Sequence, residues 1–170
     1  CDDPRYAEAL ENAIGQKWSF AFVFTNPRDY ETLKRDSRNV WEQITYAVVN
    51  ESTMMSESQV DRQRPLSGEQ LDSLKRQGVV CFADQLLNCP PVVTEALRRK
   101  GNLHKQLIAT GMPKDLDNFT RELKQMAEAT QNGNSQGDRR QSGGGQADQR
   151  LRGAVKLITN HTGLSLTVAR

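Results

Sequence analysis

Two histidines and three cysteines are all that this 170-residue chain offers of the side chains most used to bind metals or attack substrates. No His/Cys spacing suits a zinc site. There is no Walker loop, no dinucleotide-binding glycine fingerprint and no nucleophile elbow. The glycines at 143–145 follow no strand signal and have no phosphate-binding lysine beside them. Carboxylates are spread along helix faces next to Lys or Arg, as on an ordinary solvated helix surface. No set of residues can be given catalytic roles, so the sequence predicts a non-catalytic protein with no metal and no cofactor.

Long apolar runs are also missing. Nothing approaches the roughly 18–20 residues that span a bilayer, so no transmembrane helix is expected. A net charge of +2 favours no particular partner by itself. Apolar residues make up only 36%, which implies much solvated loop or a small core. The length still suits a single domain, residues 1–170, that needs no metal or disulfide staple. Cys81 and Cys89 are close enough in sequence to form a disulfide in an oxidising compartment, and would be small buried thiols in a reducing one.

What is present is clear helix punctuation. Asp3-Pro4 is an N-cap with a first-turn proline, and Gly15 is a stop. Asn26-Pro27 repeats the signal, and Tyr30, Leu33, Val40, Trp41, Ile44, Ala47 and Val48 then recur at helical spacing, predicting one long helix to about residue 49. Residues 51–66 are polar and aperiodic, a linker or exposed loop. Ser67 caps a helix carrying Leu71 and Leu74 and ended by Gly78. Residues 79–88 read more as helix than strand. Further helices are expected up to Lys100, from Asn102 to Gly111 with Leu103, Leu107 and Ile108, and from Pro113 with the stripe Leu116, Phe119, Leu123 and Met126. Residues 131–148 are a flexible Gly/Ser/Gln-rich loop. Asp148 caps a last helix with Leu151, Ala154, Val155 and Ile158, and a terminal strand spans about 164–169.

The least ordinary stretch is KWSFAFVFT, residues 17–25, where Trp18, Phe20, Phe22 and Phe24 alternate with small or aliphatic residues. It reads as a strand whose aromatic face either packs in the core or stacks on bases. Phe20, Ala21, Phe22 and Val23 resemble the aromatic ribonucleoprotein signature of the RNA-recognition-motif family, and the following Asn-Pro-Arg-Asp is similar to the start of that family's second helix. Trp18, Ser19 and Thr25 depart from the pattern. In that family the strand is third in order, whereas here one short helix precedes it, so the family's fold is not expected. Alternation of this kind usually marks burial, and the aromatic face is assigned to the core.

Cations gather in the second half of the chain. Arg98, Arg99, Lys100, His104 and Lys105 surround one helix junction, while Arg139, Arg140, Arg150, Arg152 and Lys156 flank the Gly-rich loop. Mobile arginines beside glycines suit phosphate contacts, so Arg98, Arg99, Lys105, Arg139, Arg140, Arg150, Arg152 and Lys156 are candidate nucleic-acid-binding residues. The opening CDDP resembles the mature start of a bacterial lipoprotein, in which the first cysteine carries lipid. That resemblance implies Cys1 as a lipid anchor and retention at the periplasmic face of the inner membrane. Without it the expected location is cytoplasmic.

The expectation is a mainly α (α+β) fold: an amphipathic helical bundle with a minor sheet element built from the N-terminal aromatic strand and the C-terminal strand. The expected function is a non-catalytic assembly or protein-interaction protein that buries helix and strand faces against a protein partner or in a homo-oligomer. A nucleic-acid-binding coat-like subunit and a membrane-anchored lipoprotein are the alternatives.

Overall fold

The computed structural model describes residues 3–37, 44–134, 155–159 and 165–168. The fold is mainly α with a few short strands in two small sheets, an α+β arrangement. Seven helices are described: α1 (Ala7–Ile14), α2 (Gln16–Ser19), α3 (Pro27–Asp36), α4 (Glu57–Gln63), α5 (Gly68–Lys75), α6 (Pro91–Gly101) and α7 (Leu116–Asn134). The strands are β1 (Phe22–Phe24), β2 (Tyr46–Val48), β3 (Val79–Phe82), β4 (Gln106–Ala109), β5 (Val155–Thr159) and β6 (Ser165–Val168).

The caps expected at Asp3, Asn26 and Ser67 form, and one more forms at Ser56, in the stretch read as a linker. The Asp3 side chain accepts from the Arg5 amide at 3.0 Å, and Asn26 accepts from the Arg28 amide at 2.9 Å. Ser67 and Gln70 make a reciprocal capping box on α5, and Ser56 with Gln59 makes another on α4. Gly78 ends the α5 region at φ 92°, and Asn102 ends α6 at φ 54°, a left-handed turn that Asn tolerates.

The larger sheet has the order β3-β4-β5-β6. β3 and β4 are antiparallel, β4 and β5 parallel, and β5 and β6 antiparallel. Side chains alternate across this sheet. Leu107, Ala109, Val155 and Leu157 join Phe119 and Leu123 of α7 and Leu71 and Leu74 of α5 in one core layer. Ile108 and Ile158, on the opposite face, join Leu10 and Ala13 of α1 and Leu97 of α6 in another. Helices therefore meet across a sheet instead of packing only on one another.

Four expected helical stretches are corrected. Residues 79–82, 106–109 and 155–159 are strands, because runs such as QLIA and VKLIT are buried on both faces and lose the alternation that marks a half-exposed strand. The long helix to residue 49 ends at Asp36, and Ala47 and Val48 lie in β2; Val40 and Trp41 fall outside the described residues. The expected linker at 51–66 contains α4, with Val60 and Leu66 buried. The terminal strand pairs with β5 and not with the aromatic strand, as Leu157 opposite Leu166 shows. The aromatic strand itself is shorter than expected, since residues 16–19 are helical. Of the loop expected at 131–148, residues 131–134 belong to α7 and the rest lies outside the described residues.

Candidate functional site

The smaller sheet presents the unusual surface. β1 and β2 run parallel, with Phe22 opposite Tyr46, Val23 opposite Ala47 and Phe24 opposite Val48. Strand alternation divides these residues between two faces. Val23 and Ala47 turn inward and pack with Val49, Trp18 and Met54 on Val92 and Ala96 of α6. Phe22, Phe24, Tyr46 and Val48 are left on the outer face.

That outer face is a ladder of rings. Phe22 and Phe24 are stacked with centroids 6.4 Å apart, and Phe24 meets Tyr30 of α3 edge-on at 6.0 Å. Tyr30 and Tyr46 follow at 4.8 Å. Their hydroxyls share a hydrogen bond of 3.0 Å, which raises the Tyr46 phenol above its ordinary pKa. Phe22 is 52% exposed, and Phe20, which precedes it, is 79% exposed. The core assignment made for the aromatic strand is thus corrected at these two residues. Trp18 does pack inward.

One lysine borders the ladder. The Lys34 ammonium stands 5.6 Å from the centre of the Tyr30 ring, and Lys34 and Lys100 both act electrostatically on the Tyr46 phenol. Lys17 lies 6.0 Å over the Trp18 ring. Among the described residues, neither Lys34 nor Lys100 has a carboxylate partner within salt-bridge distance.

The arginines expected to face phosphates behave differently. Arg98 donates through Nε to the fully buried Asp84 carboxylate at 2.9 Å and through Nη1 to Glu57 at 2.9 Å. Arg64 reaches the same Asp84 at 3.2 Å and stacks over the Phe82 ring. Arg99 holds the buried Glu95 at 2.5 Å and donates to the Thr53 carbonyl. These pairs tie the segment around α4 to α6 and use the guanidinium groups inside the fold. Lys105 follows the buried His104, and the pairing of Gln106 with Lys156 puts both lysines at one end of the β4–β5 pair. Arg139, Arg140, Arg150, Arg152 and Cys1 lie outside the described residues.

Of the other reactive side chains, His104 is buried and Cys81 and Cys89 are half-buried. Burial is the main cause that lowers His104 to a pKa of about 4, and neither ring nitrogen has a partner among the described residues. Cys81 and Cys89 are free thiols, so the disulfide considered from their spacing is not formed. Burial, reinforced by the nearby Asp84 charge, pushes the Cys81 thiol up to about 11, and Cys89 contacts the Thr94 hydroxyl at 3.3 Å. The Cys81 thiol is therefore a poor nucleophile at neutral pH. An apolar cleft of about 550 Å³ opens between α1, α2 and α6, walled by Leu10, Trp18, Ala21, Val93 and Leu97. Among the described residues no cluster of three His, Cys, Asp or Glu side chains is arranged to hold a metal ion, and no helix is long and apolar enough to cross a membrane.

Tyr30 was assigned to a helix stripe and Tyr46 fell within the same expected long helix, and their part in the ladder has no signature in the sequence. Only the parallel pairing of β1 with β2 brings them beside Phe22 and Phe24. Compared with protein-family models, curated proteins and solved structures, the chain matches none.

Proposed function

We propose that this chain is a non-catalytic binding and assembly protein whose working surface is the outer face of the β1–β2 pair. One observation carries the proposal: Phe22, 52% exposed, heads a ladder of contacting rings, and Phe20, at the end of α2 just before β1, is 79% exposed. Large exposed apolar groups that adjoin one another mark interaction surfaces, and aromatic anchors supply much of the binding energy at such surfaces. The rings cost little order on binding, because stacking and the hydroxyl pair already hold Phe24, Tyr30 and Tyr46 in place. The inner face rests on α6, so the ladder is presented on a fixed support.

The polar chemistry of the described core supports the same reading. Asp84 and Glu95 are each engaged by arginines. His104 is buried. These groups hold the fold together and leave binding to the aromatic face.

The test is the double variant Phe20→Ser/Phe22→Ser. Its urea midpoint should fall far less than for a core truncation, because Phe20 is 79% and Phe22 52% exposed. The fluorescence of an apolar-surface dye bound to the parent should fall by about half. A midpoint lowered as far as by a core truncation would make these rings part of the core and end the proposal.

A further inference from the structure

We infer that the cleft between α1, α2 and α6 is a binding site for the aliphatic chain of an uncharged small molecule. It is separate from the outer aromatic face, because Val23, which lines it, turns to the opposite side of β1 from Phe22.

The cleft is a seam in the core. Leu10, Ile14, Leu87, Val93 and Leu97 belong to the cluster against the four-stranded sheet, and Val23 and Ala96 to the cluster under β1–β2. Trp18 packs on both clusters. Between them the packing parts and the cleft opens. It reaches down to core residues, since Leu10, Ala96 and Leu97 are buried, while Ile14, Trp18, Val23 and Val93 are half-buried. Protein interiors are close-packed, so walls around about 550 Å³ of space forgo dispersion contacts that an occupant restores. That volume lies within the roughly 300–1,000 Å³ of small-molecule sites. It is several times the roughly 150 Å³ that holds a benzene, enough for a chain of about ten carbons or more.

The lining selects the chemistry. None of the described lining residues carries a charge, so an ionised group placed inside would lose its water and find no counter-charge. Three lining residues are polar: Ser19, Asn88 and Cys89. The Ser19 hydroxyl already donates to the Gly15 carbonyl at 3.1 Å, and the Cys89 thiol is paired with the Thr94 hydroxyl at 3.3 Å. An inserted peptide segment would bring backbone N–H and C=O groups with few partners to receive them. Trp18 is the one ring among the described lining residues, so a flat aromatic ligand has a single surface to stack on. A hydrocarbon chain needs no hydrogen bond and no ring, and it adapts to walls of leucine, isoleucine and valine.

The experiment is titration of the full chain with decanol, read by calorimetry and by site-resolved alkylation of the thiols with N-ethylmaleimide. Biphenyl is the aromatic control. Cys89 lines the cleft and Cys81 does not, so one thiol reports and the other is the internal reference. Decanol should bind, and at about ten times its dissociation constant it should slow alkylation of Cys89 about tenfold with Cys81 unchanged. Ala21→Phe puts a ring into the space and should weaken binding about tenfold or more. Val93→Thr keeps the side-chain shape, adds a hydroxyl to the wall and should weaken binding about threefold or more. Both variants are checked by their urea midpoints. If Ala21→Phe lowers the midpoint sharply, Val93→Thr and the thiol rates carry the decision.

Absence of both heat and Cys89 protection overturns the inference. Binding that leaves the Cys89 rate unchanged, or that the folded variants leave intact, puts decanol elsewhere on the protein and overturns it too. Biphenyl that binds more tightly than decanol and protects Cys89 better overturns the aliphatic assignment.

Discussion

The two sheets of this protein are built from similar residues and end in opposite situations. The four-stranded sheet is covered on both faces, by α5 and α7 on one side and α1 and α6 on the other. Among the described residues, the two-stranded sheet is covered on one face by α6 and shows the 52% exposed Phe22 on the other. Phe119 is completely buried, while Phe22 is 52% exposed. The same side chain therefore stabilises the fold in one place and is available to a partner in the other. Hydrophobic residues are informative about function when they form a contiguous exposed group, because that arrangement gains nothing for the isolated chain.

The sharpest way to break this comparison is truncation in the covered region. Phe119→Ala should cost about 3–5 kcal/mol in urea unfolding, from lost burial and the cavity left behind. An exposed-site value at this position would remove the distinction between the sheets. Asp84→Ala comes next, at about 3 kcal/mol or more, because it leaves the Arg64 and Arg98 guanidinium groups in the interior without their shared carboxylate. Arg98 keeps Glu57 and Arg64 keeps Asp61, so the loss should be smaller if those outer pairs can hold the arginines in place.

The pH dependence tests how dry the covered region is. His104 has a folded pKa of about 4, below the value near 6.5 in an unfolded chain. The unfolded state thus takes up the proton first as pH falls. The contribution of neutral His104 is complete above pH 6.5 and is lost progressively down to about pH 4. Between pH 7 and pH 5 this amounts to at most about 2 kcal/mol. Urea unfolding of the parent and of His104→Gln at both values should show a shallower pH slope in the variant. Equal slopes would mean that water reaches the ring.

The smallest effect is the most telling for function. Phe22→Ala should cost about 1 kcal/mol, because the ring is only 52% exposed and stacks on Phe24, still well below Phe119→Ala. Measured beside Phe119→Ala, it compares two phenylalanines in one protein. Similar losses would show that the outer face of β1–β2 is covered in solution.

Much of the helical part was legible from local chemistry. Asp3-Pro4, Asn26-Pro27, Ser67 with Gln70, Gly78 and the stripe through Phe119 and Leu123 act over one or two turns, and all appear in the fold. β3 was read as helix because VVCF is a continuous apolar run whose period carries no information, and β4 and β5 because Leu103, Leu107 and Ile108, and Leu151, Ala154, Val155 and Ile158, fall at helical spacing. The same limit applied to the site. Period-two spacing put Phe22 and Phe24 on one side of a strand, but spacing does not say whether anything covers that side. Tyr30 and Tyr46 are sixteen residues apart, and their shared hydrogen bond has no sequence signature.

The sequence by itself determined both ends of α1, α5 and α6 and the start of α3, because caps and stops are hydrogen-bond and backbone preferences of a few neighbouring residues. It also determined the mainly α, α+β class. Only the tertiary structure decided which apolar runs became sheet, since a strand exists through partners distant in the chain. It alone decided that Arg98 and Arg99 serve buried carboxylates while Phe20 and Phe22 face solvent. Burial is a property of what packs above a residue, and nothing in the residue or its neighbours specifies that.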